Sequence, residues 1–315
     1  MIDFEVKNDF KGRDFLCMSD FTKEEITSLI EISKQLKYMH HKNIPHTFLH
    51  GKTLGMIFYK SSSRTRVSFE AAMSHLGGYP MFLSTKDLQI GRDEPLKDTA
   101  RVLSRYLDGI MVRTFEHEIV EELAYWADIP VINGLTDLLH PTQVLADFLT
   151  IQENRGKLEG LKMTYIGDGN NMAHSLMIGC AKMGMDITIA CPKEYQPEEK
   201  IVTRALEFAA LSGSKVLITD DPFNSAKDAD VLYTDVWASM GQEAEAYERK
   251  IAFKGYQINA DTLKIAKPDC MVLHCLPAHR GEEITEEVLE GPHSFVFDEA
   301  ENRMHAHKAI LALLM

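Results

Sequence analysis

Apolar positions along this chain change their period after the first fifty residues. Ile26, Leu29, Ile30, Ser33 and Leu36 recur at helical spacing behind Thr22-Lys23-Glu24-Glu25, a capping-box pattern, so a long amphipathic helix is predicted there. From Thr53 onward, short β-rich runs alternate with helix-period stretches. Residues 53–59, 79–83, 109–112 and 130–133 read as strands in the first half, and 163–166, 186–190, 215–219, 231–234 and 271–274 in the second. This alternation predicts an α/β fold of parallel sheets flanked by helices. The helical stretch 142–152 separates four strands from five. Two domains follow, residues 1–150 and 151–299, each a parallel sheet with helices. The last helical stretch, 300–315, has no strand after it and is expected to pack back on the first domain.

Composition narrows the class. The 315 residues are 45% hydrophobic and 26% charged, the proportions of a globular protein. With 34 basic against 47 acidic residues the net charge is −13, which argues against nucleic acid or an anionic membrane as partner. An anionic small substrate must then be held by a few local cations. The longest apolar run, 309–315, is far short of the roughly 18 residues that a spanning helix needs, and the charged start of the chain predicts no secretion signal. Five cysteines at irregular spacing, without a C-x-x-C pair, read as reduced thiols in a cytoplasmic protein.

Several loops carry candidate chemistry. Ser61-Ser62-Ser63-Arg64-Thr65-Arg66 follows the first strand and opens a helix ended by Gly77-Gly78. Free N–H groups, hydroxyls and two guanidiniums there suit a phosphate, although Ser and Thr could equally be caps beside solvated arginines. Gly51-Lys52-Thr53 resembles the tail of a Walker A loop, but His46 stands where glycine is needed. Gly167-Asp168-Gly169-Asn170-Asn171-Met172 lacks the third glycine of a dinucleotide fingerprint. His140, before Pro141 at a helix entrance, is either a ligand or a capping or core histidine. Asp235 lies at the base of a loop containing Ser239-Met240-Gly241, and Cys275 sits at the turn of His274-Cys275-Leu276-Pro277. Cys270, His274, Cys275 and His279 are close in sequence, but strand alternation puts Cys275 on the other face from Cys270 and His274, so no zinc tetrad is expected. Ser62, Arg64, Arg113, His140, Asn171, Asp235 and Cys275 all follow strand C-termini, where open α/β sheets bind ligands. A shared site in the cleft between the domains is therefore expected.

These motifs resemble those of the aspartate and ornithine carbamoyltransferases. Ser62-Ser63-Arg64-Thr65-Arg66 is similar to the family's Ser-Thr-Arg-Thr-Arg signature, with Ser63 replacing threonine, and His140-Pro141-Thr142-Gln143 to its second motif. Asp235 with Ser239-Met240-Gly241, His274-Cys275-Leu276-Pro277 and Glu301-Asn302-Arg303-Met304 resemble the ornithine branch. The resemblance runs from about residue 14 to the end. It implies transfer of the carbamoyl group of carbamoyl phosphate to L-ornithine, giving citrulline and phosphate in arginine biosynthesis or urea-type metabolism, without metal or organic cofactor. Putrescine or acylated ornithine as acceptor, or a non-catalytic binding module, are the alternatives. It further implies that Ser62, Ser63, Arg64, Thr65, Arg113, His140, Gln143, Cys275, Leu276 and Arg303 hold carbamoyl phosphate in residues 1–150 and around them. Gln89 would serve a neighbouring subunit of a homotrimer. Asn171, Asp235, Ser239 and Met240 would bind ornithine, with Cys275 near its side-chain amine. Arg64, His140, Asp235 and Cys275 are the implied catalytic residues.

Overall fold

The computed structural model describes residues 10–86, 94–239 and 243–315. The chain divides into two compact units, one reaching to Leu149 and including Glu301–Met315, the other Thr150–Ala300. Among the described residues, nine strands form two wholly parallel sheets.

The first unit opens with helix α1 (Lys23–His41), whose capping box is present: Thr22 accepts from Glu25 N–H, and the Glu25 carboxylate accepts from Thr22 N–H. Then follow β1 (Thr53–Phe58), α2 (Ser63–His75), β2 (Tyr79–Ser84), α3 (Leu96–Tyr106), β3 (Gly109–Arg113), α4 (His117–Trp126), β4 (Val131–Leu135) and α5 (Pro141–Arg155), which runs into the second unit. The sheet order is β2-β1-β3-β4. Ile57, Ile110, Val112 and Val131 pack with Val120 and Leu123 of α4, so the inner strands are buried on both faces and read as apolar runs. Gly77 ends α2 at a positive φ of 80°, the left-handed conformation that favours glycine at a helix end.

The second unit contains β5 (Lys162–Ile166), α6 (Asn171–Met183), β6 (Asp186–Ala190), α7 (Glu199–Ser212), β7 (Val216–Thr219), α8 (Pro222–Ser225), β8 (Val231–Thr234), α9 (Ala246–Ala252), α10 (Ala260–Ile265), β9 (Met271–His274), α11 (Glu286–Leu289) and the start of α12 (Val296–Leu314). Its sheet order is β7-β6-β5-β8-β9. Helix α12 starts four residues before the expected 300, and α5 extends the predicted 142–152 at both ends. The order reverses between β1 and β3 in one sheet and between β5 and β8 in the other, and each reversal opens a crevice beyond the strand C-termini. No described helix is long and apolar enough to cross a membrane.

Gly169 serves chain packing. A Cβ there would collide with backbone atoms of Tyr195, Gln196 and Pro197, and the Gly169 N–H donates to Tyr195 O at 2.9 Å. The second glycine of the would-be dinucleotide loop thus meets the protein's own backbone. Gly169→Ala is expected to cost about 1–3 kcal/mol as an overpacked site, lowering the melting temperature by several degrees in calorimetry. An unchanged melting temperature would contradict this packing role.

Candidate active site

In the first unit the β1–β3 reversal collects cations around one hydroxyl. Ser62 caps α2, its Oγ accepting from Thr65 N–H at 3.3 Å. That places Arg64 and Thr65 in the first helical turn, where N–H groups point outward and the helix dipole favours an anion. Thr65 is buried, and its Oγ1 accepts from Arg113 Nη1 at 3.3 Å and Arg303 Nη2 at 2.9 Å. Arg113 ends β3 and Arg303 lies on α12, so three separate elements meet at this hydroxyl. The Arg64 Nε is buried with no hydrogen-bond partner among the described residues. Lys60, also buried, reaches Asp137 at 2.6 Å, and burial lowers its pKa despite that contact.

His140 precedes Pro141 at the start of α5 and is 4% exposed. Burial, then the charges of Arg303 and Arg113, hold its ring well below 6.5, so it is neutral near pH 7 and fit to donate one hydrogen bond. Gln143, one turn on, donates its amide to Asp147 at 2.8 Å.

The second unit's β5–β8 reversal instead collects acceptors. Asn170 caps α6, its Oδ1 accepting from Met172 and Ala173 N–H, while its Nδ2 donates to Asp235 Oδ2 at 3.2 Å. Asp235, buried just after β8, accepts on its other oxygen from Val236 N–H at 2.8 Å and from the Cys275 thiol at 3.0 Å. Below them Arg249 bonds Asp168 at 2.7 Å and the Trp237 carbonyl at 2.9 Å, anchoring the chain that follows Asp235. Burial pushes Asp168 up to about 6, against the pull of Arg249. At the end of β9, Leu276 has φ 58°, rare for a residue with a side chain; His274 Nδ1 accepts its N–H at 2.8 Å and holds that turn beside Cys275. His274 Nε2 is then the protonated nitrogen, directed to Glu283 at 3.1 Å.

The profile of the aspartate/ornithine carbamoyltransferase carbamoyl-P binding domain matches residues 13–153, and that of the family's Asp/Orn binding domain matches 159–314. The anabolic ornithine carbamoyltransferase of Pyrococcus furiosus is 56% identical over 304 residues, covering 96% of each chain. The ornithine carbamoyltransferase of Bacillus subtilis is 58% identical over 304 residues, covering 96% of this chain and 94% of that protein. A solved ornithine carbamoyltransferase from P. furiosus superposes with a TM-score of 0.95 at 55% identity, covering 98% of both chains. This chain belongs to the aspartate/ornithine carbamoyltransferase family.

Against that family's motifs, the structure brings together Ser62, Arg64, Thr65, Arg113, His140 and Arg303 in the first unit, and Asp235 and Cys275 in the second. One expectation changes. Arg66 does not join the anion-binding group: it is exposed, bonds Glu70 at 2.9 Å and stacks 3.7 Å over Phe82, because one residue past Thr65 the helix turns its side chain away. Asn170, which the motifs did not single out, donates to Asp235. An asparagine directly after glycine and before a helix is a cap signal that could have found it. Gln89, Met240 and Gly241 lie outside the described residues. The pairing of Asp168 with Arg249 was missed because the two lie 81 residues apart and Arg249 stands in no motif.

The His140 environment has a measurable consequence. The unfolded chain binds a proton near pH 6.5 that the folded ring refuses, so this ring draws stability down as pH falls below about 6.5. Carbon-13 NMR of labelled histidines, with His140 assigned by its loss in His140→Gln, is expected to show a neutral ring from pH 8 to 6. A titration midpoint at 6.5 would contradict it.

Proposed function

We propose that the chain transfers the carbamoyl group of carbamoyl phosphate to the δ-amine of L-ornithine, giving L-citrulline and phosphate. The observation that carries this is the convergence of Arg113 and Arg303 on Thr65 at the α2 N-terminus, a cationic, hydroxyl-lined anion site. Ser62, Ser63, Arg64, Thr65, Arg113 and Arg303 hold the phosphate, with Cys275 and Leu276 completing the pocket. His140 and Gln143 hold the carbamoyl group. Asn171, Asp235, Ser239 and Met240 bind the amino-acid end of ornithine, the Asp235 carboxylate pairing with the α-ammonium, while Cys275 lies near the side-chain amine.

The chemistry follows from these types. A neutral δ-amine attacks the carbamoyl carbon, and the carbonyl oxygen gains negative charge that Arg64, Thr65 and the neutral His140 stabilise by fixed donors. The new N–C bond forms as the C–O bond to phosphate breaks. The proton shed by nitrogen ends on the departing phosphate, which stays among the same cations.

We further propose that the chain works as a homotrimer in the cytoplasm, with Gln89 serving a neighbouring subunit, and that it supplies arginine synthesis. Support comes from the five free thiols and from the relative named anabolic. Sedimentation should give three times the chain mass.

The test of function is an acceptor comparison. Carbamoyl phosphate with ornithine should give citrulline and phosphate one to one. Putrescine, which lacks the α-carboxylate, N-acetylornithine, whose α-nitrogen carries no charge, and aspartate, which lacks a side-chain amine, should react far more slowly. Equal or faster reaction with any of the three, or no citrulline, would reject the assignment.

A further inference from the structure

Helices α1 and α12, both within the first unit over the residues concerned, bring together imidazoles that the anion site does not use. His41 Nε2, in the last turn of α1, lies 2.7 Å from Glu301 Oε1, and His305 Nε2 lies 3.4 Å from the same oxygen. Glu301 and His305 are one turn apart on α12 and share a face. The three donor atoms all lie within 4.8 Å of one another.

We propose that His41, Glu301 and His305 bind a divalent transition-metal ion of the zinc class, leaving a fourth position to water. Two imidazole nitrogens and one carboxylate are a donor set that zinc accepts, whereas magnesium and calcium want oxygens. Bonds of about 2.0–2.1 Å in a tetrahedral site put neighbouring donors about 3.3 Å apart. The His305–Glu301 pair already has that spacing. The His41–Glu301 pair must open by a fraction of an ångström, which the half-exposed His41 side chain can do by rotation. His305 is fully buried and fixes one ligand, while the exposed sides of His41 and Glu301 leave a route for the ion.

Protonation does not stand in the way. Burial, the largest influence on it, disfavours a charged His305 ring. Burial alone would raise Glu301, but the His41 contact and the Lys37 charge hold it below the usual carboxylate value. Two lysines border the group: Lys37 Nζ donates to Asn302 at 2.8 Å and Lys308 Nζ to His46 Nε2 at 3.2 Å, while the charge of Lys37 also acts on Glu301 and His305.

Arg303 sits on α12 between Glu301 and His305, and its guanidinium reaches Thr65. An ion tying α1 to α12 would therefore fix the helical turn that presents Arg303, and would stabilise the folded chain by mass action.

The experiment is zinc titration of the full chain, read by calorimetry and by melting temperature, for the natural protein and for His41→Ala, Glu301→Gln and Cys275→Ser. The last variant separates this site from the Asp235, His274 and Cys275 donors, which also group within ligand range. Zinc should raise the melting temperature of the natural protein and of Cys275→Ser, and magnesium should not. His41→Ala and Glu301→Gln should lose that rise, with zinc affinity at least tenfold weaker, while melting like the natural protein in the presence of a chelator. Zinc affinity unchanged in both variants, or no zinc uptake by the natural protein at millimolar concentration, would overturn the site.

Discussion

Arg64→Ala is expected to lower kcat for citrulline formation by about a hundredfold or more, the usual loss when one fixed donor to a developing oxyanion is removed. The side chain stands in the first turn of α2, directly after the Ser62 cap, and its Nε is buried with no partner among the described residues. Such a group is costly to leave unpaired, so it is set there for something that binds. Arg66→Ala is the matching control. Its guanidinium is committed to Glu70 and Phe82, and its loss should leave kcat within a few-fold of normal. Near-normal turnover in Arg64→Ala would remove Arg64 from the reaction.

Asp235→Asn is expected to raise the KM for ornithine by about ten- to a hundredfold, the worth of a charge-assisted hydrogen bond, with carbamoyl-phosphate affinity nearly unchanged. Asparagine keeps an oxygen for Val236 N–H and so preserves the local chain while removing the charge that pairs with an α-ammonium. Steady-state kinetics with each substrate varied in turn separates the two constants. Equal losses for both substrates would mean that Asp235 only supports Asn170 and Cys275.

The buried strands were legible because a parallel strand buried on both faces is a short apolar run bounded by turn residues, as at Met271–His274. Helix α12 began early because Phe297 is exposed and Asp298 and Glu299 interrupt the apolar period, so the sequence pattern starts only afterwards. The Ser62 to Thr65 loop was legible for a local reason: cap, hydroxyls and arginine are consecutive. What could not be read from spacing was Arg303 reaching Thr65 from 238 residues away, or Arg249 anchoring the chain after Asp235 through Asp168 and Trp237. Those contacts are products of tertiary packing. The resemblance supplied Arg303, whereas nothing in the sequence supplied Arg249.

The central claim is a division of labour, with phosphate chemistry resting on the Ser62 to Thr65 loop and amino-acid recognition on Asp235. Calorimetric titration with a non-hydrolysable phosphonate analogue of carbamoyl phosphate, followed by ornithine, tests it on the natural protein, Arg64→Ala and Asp235→Asn. The account predicts that Arg64→Ala loses the analogue, and that Asp235→Asn binds the analogue normally but takes up ornithine at least tenfold more weakly. Analogue binding of natural strength in Arg64→Ala, or of reduced strength in Asp235→Asn alone, would contradict it.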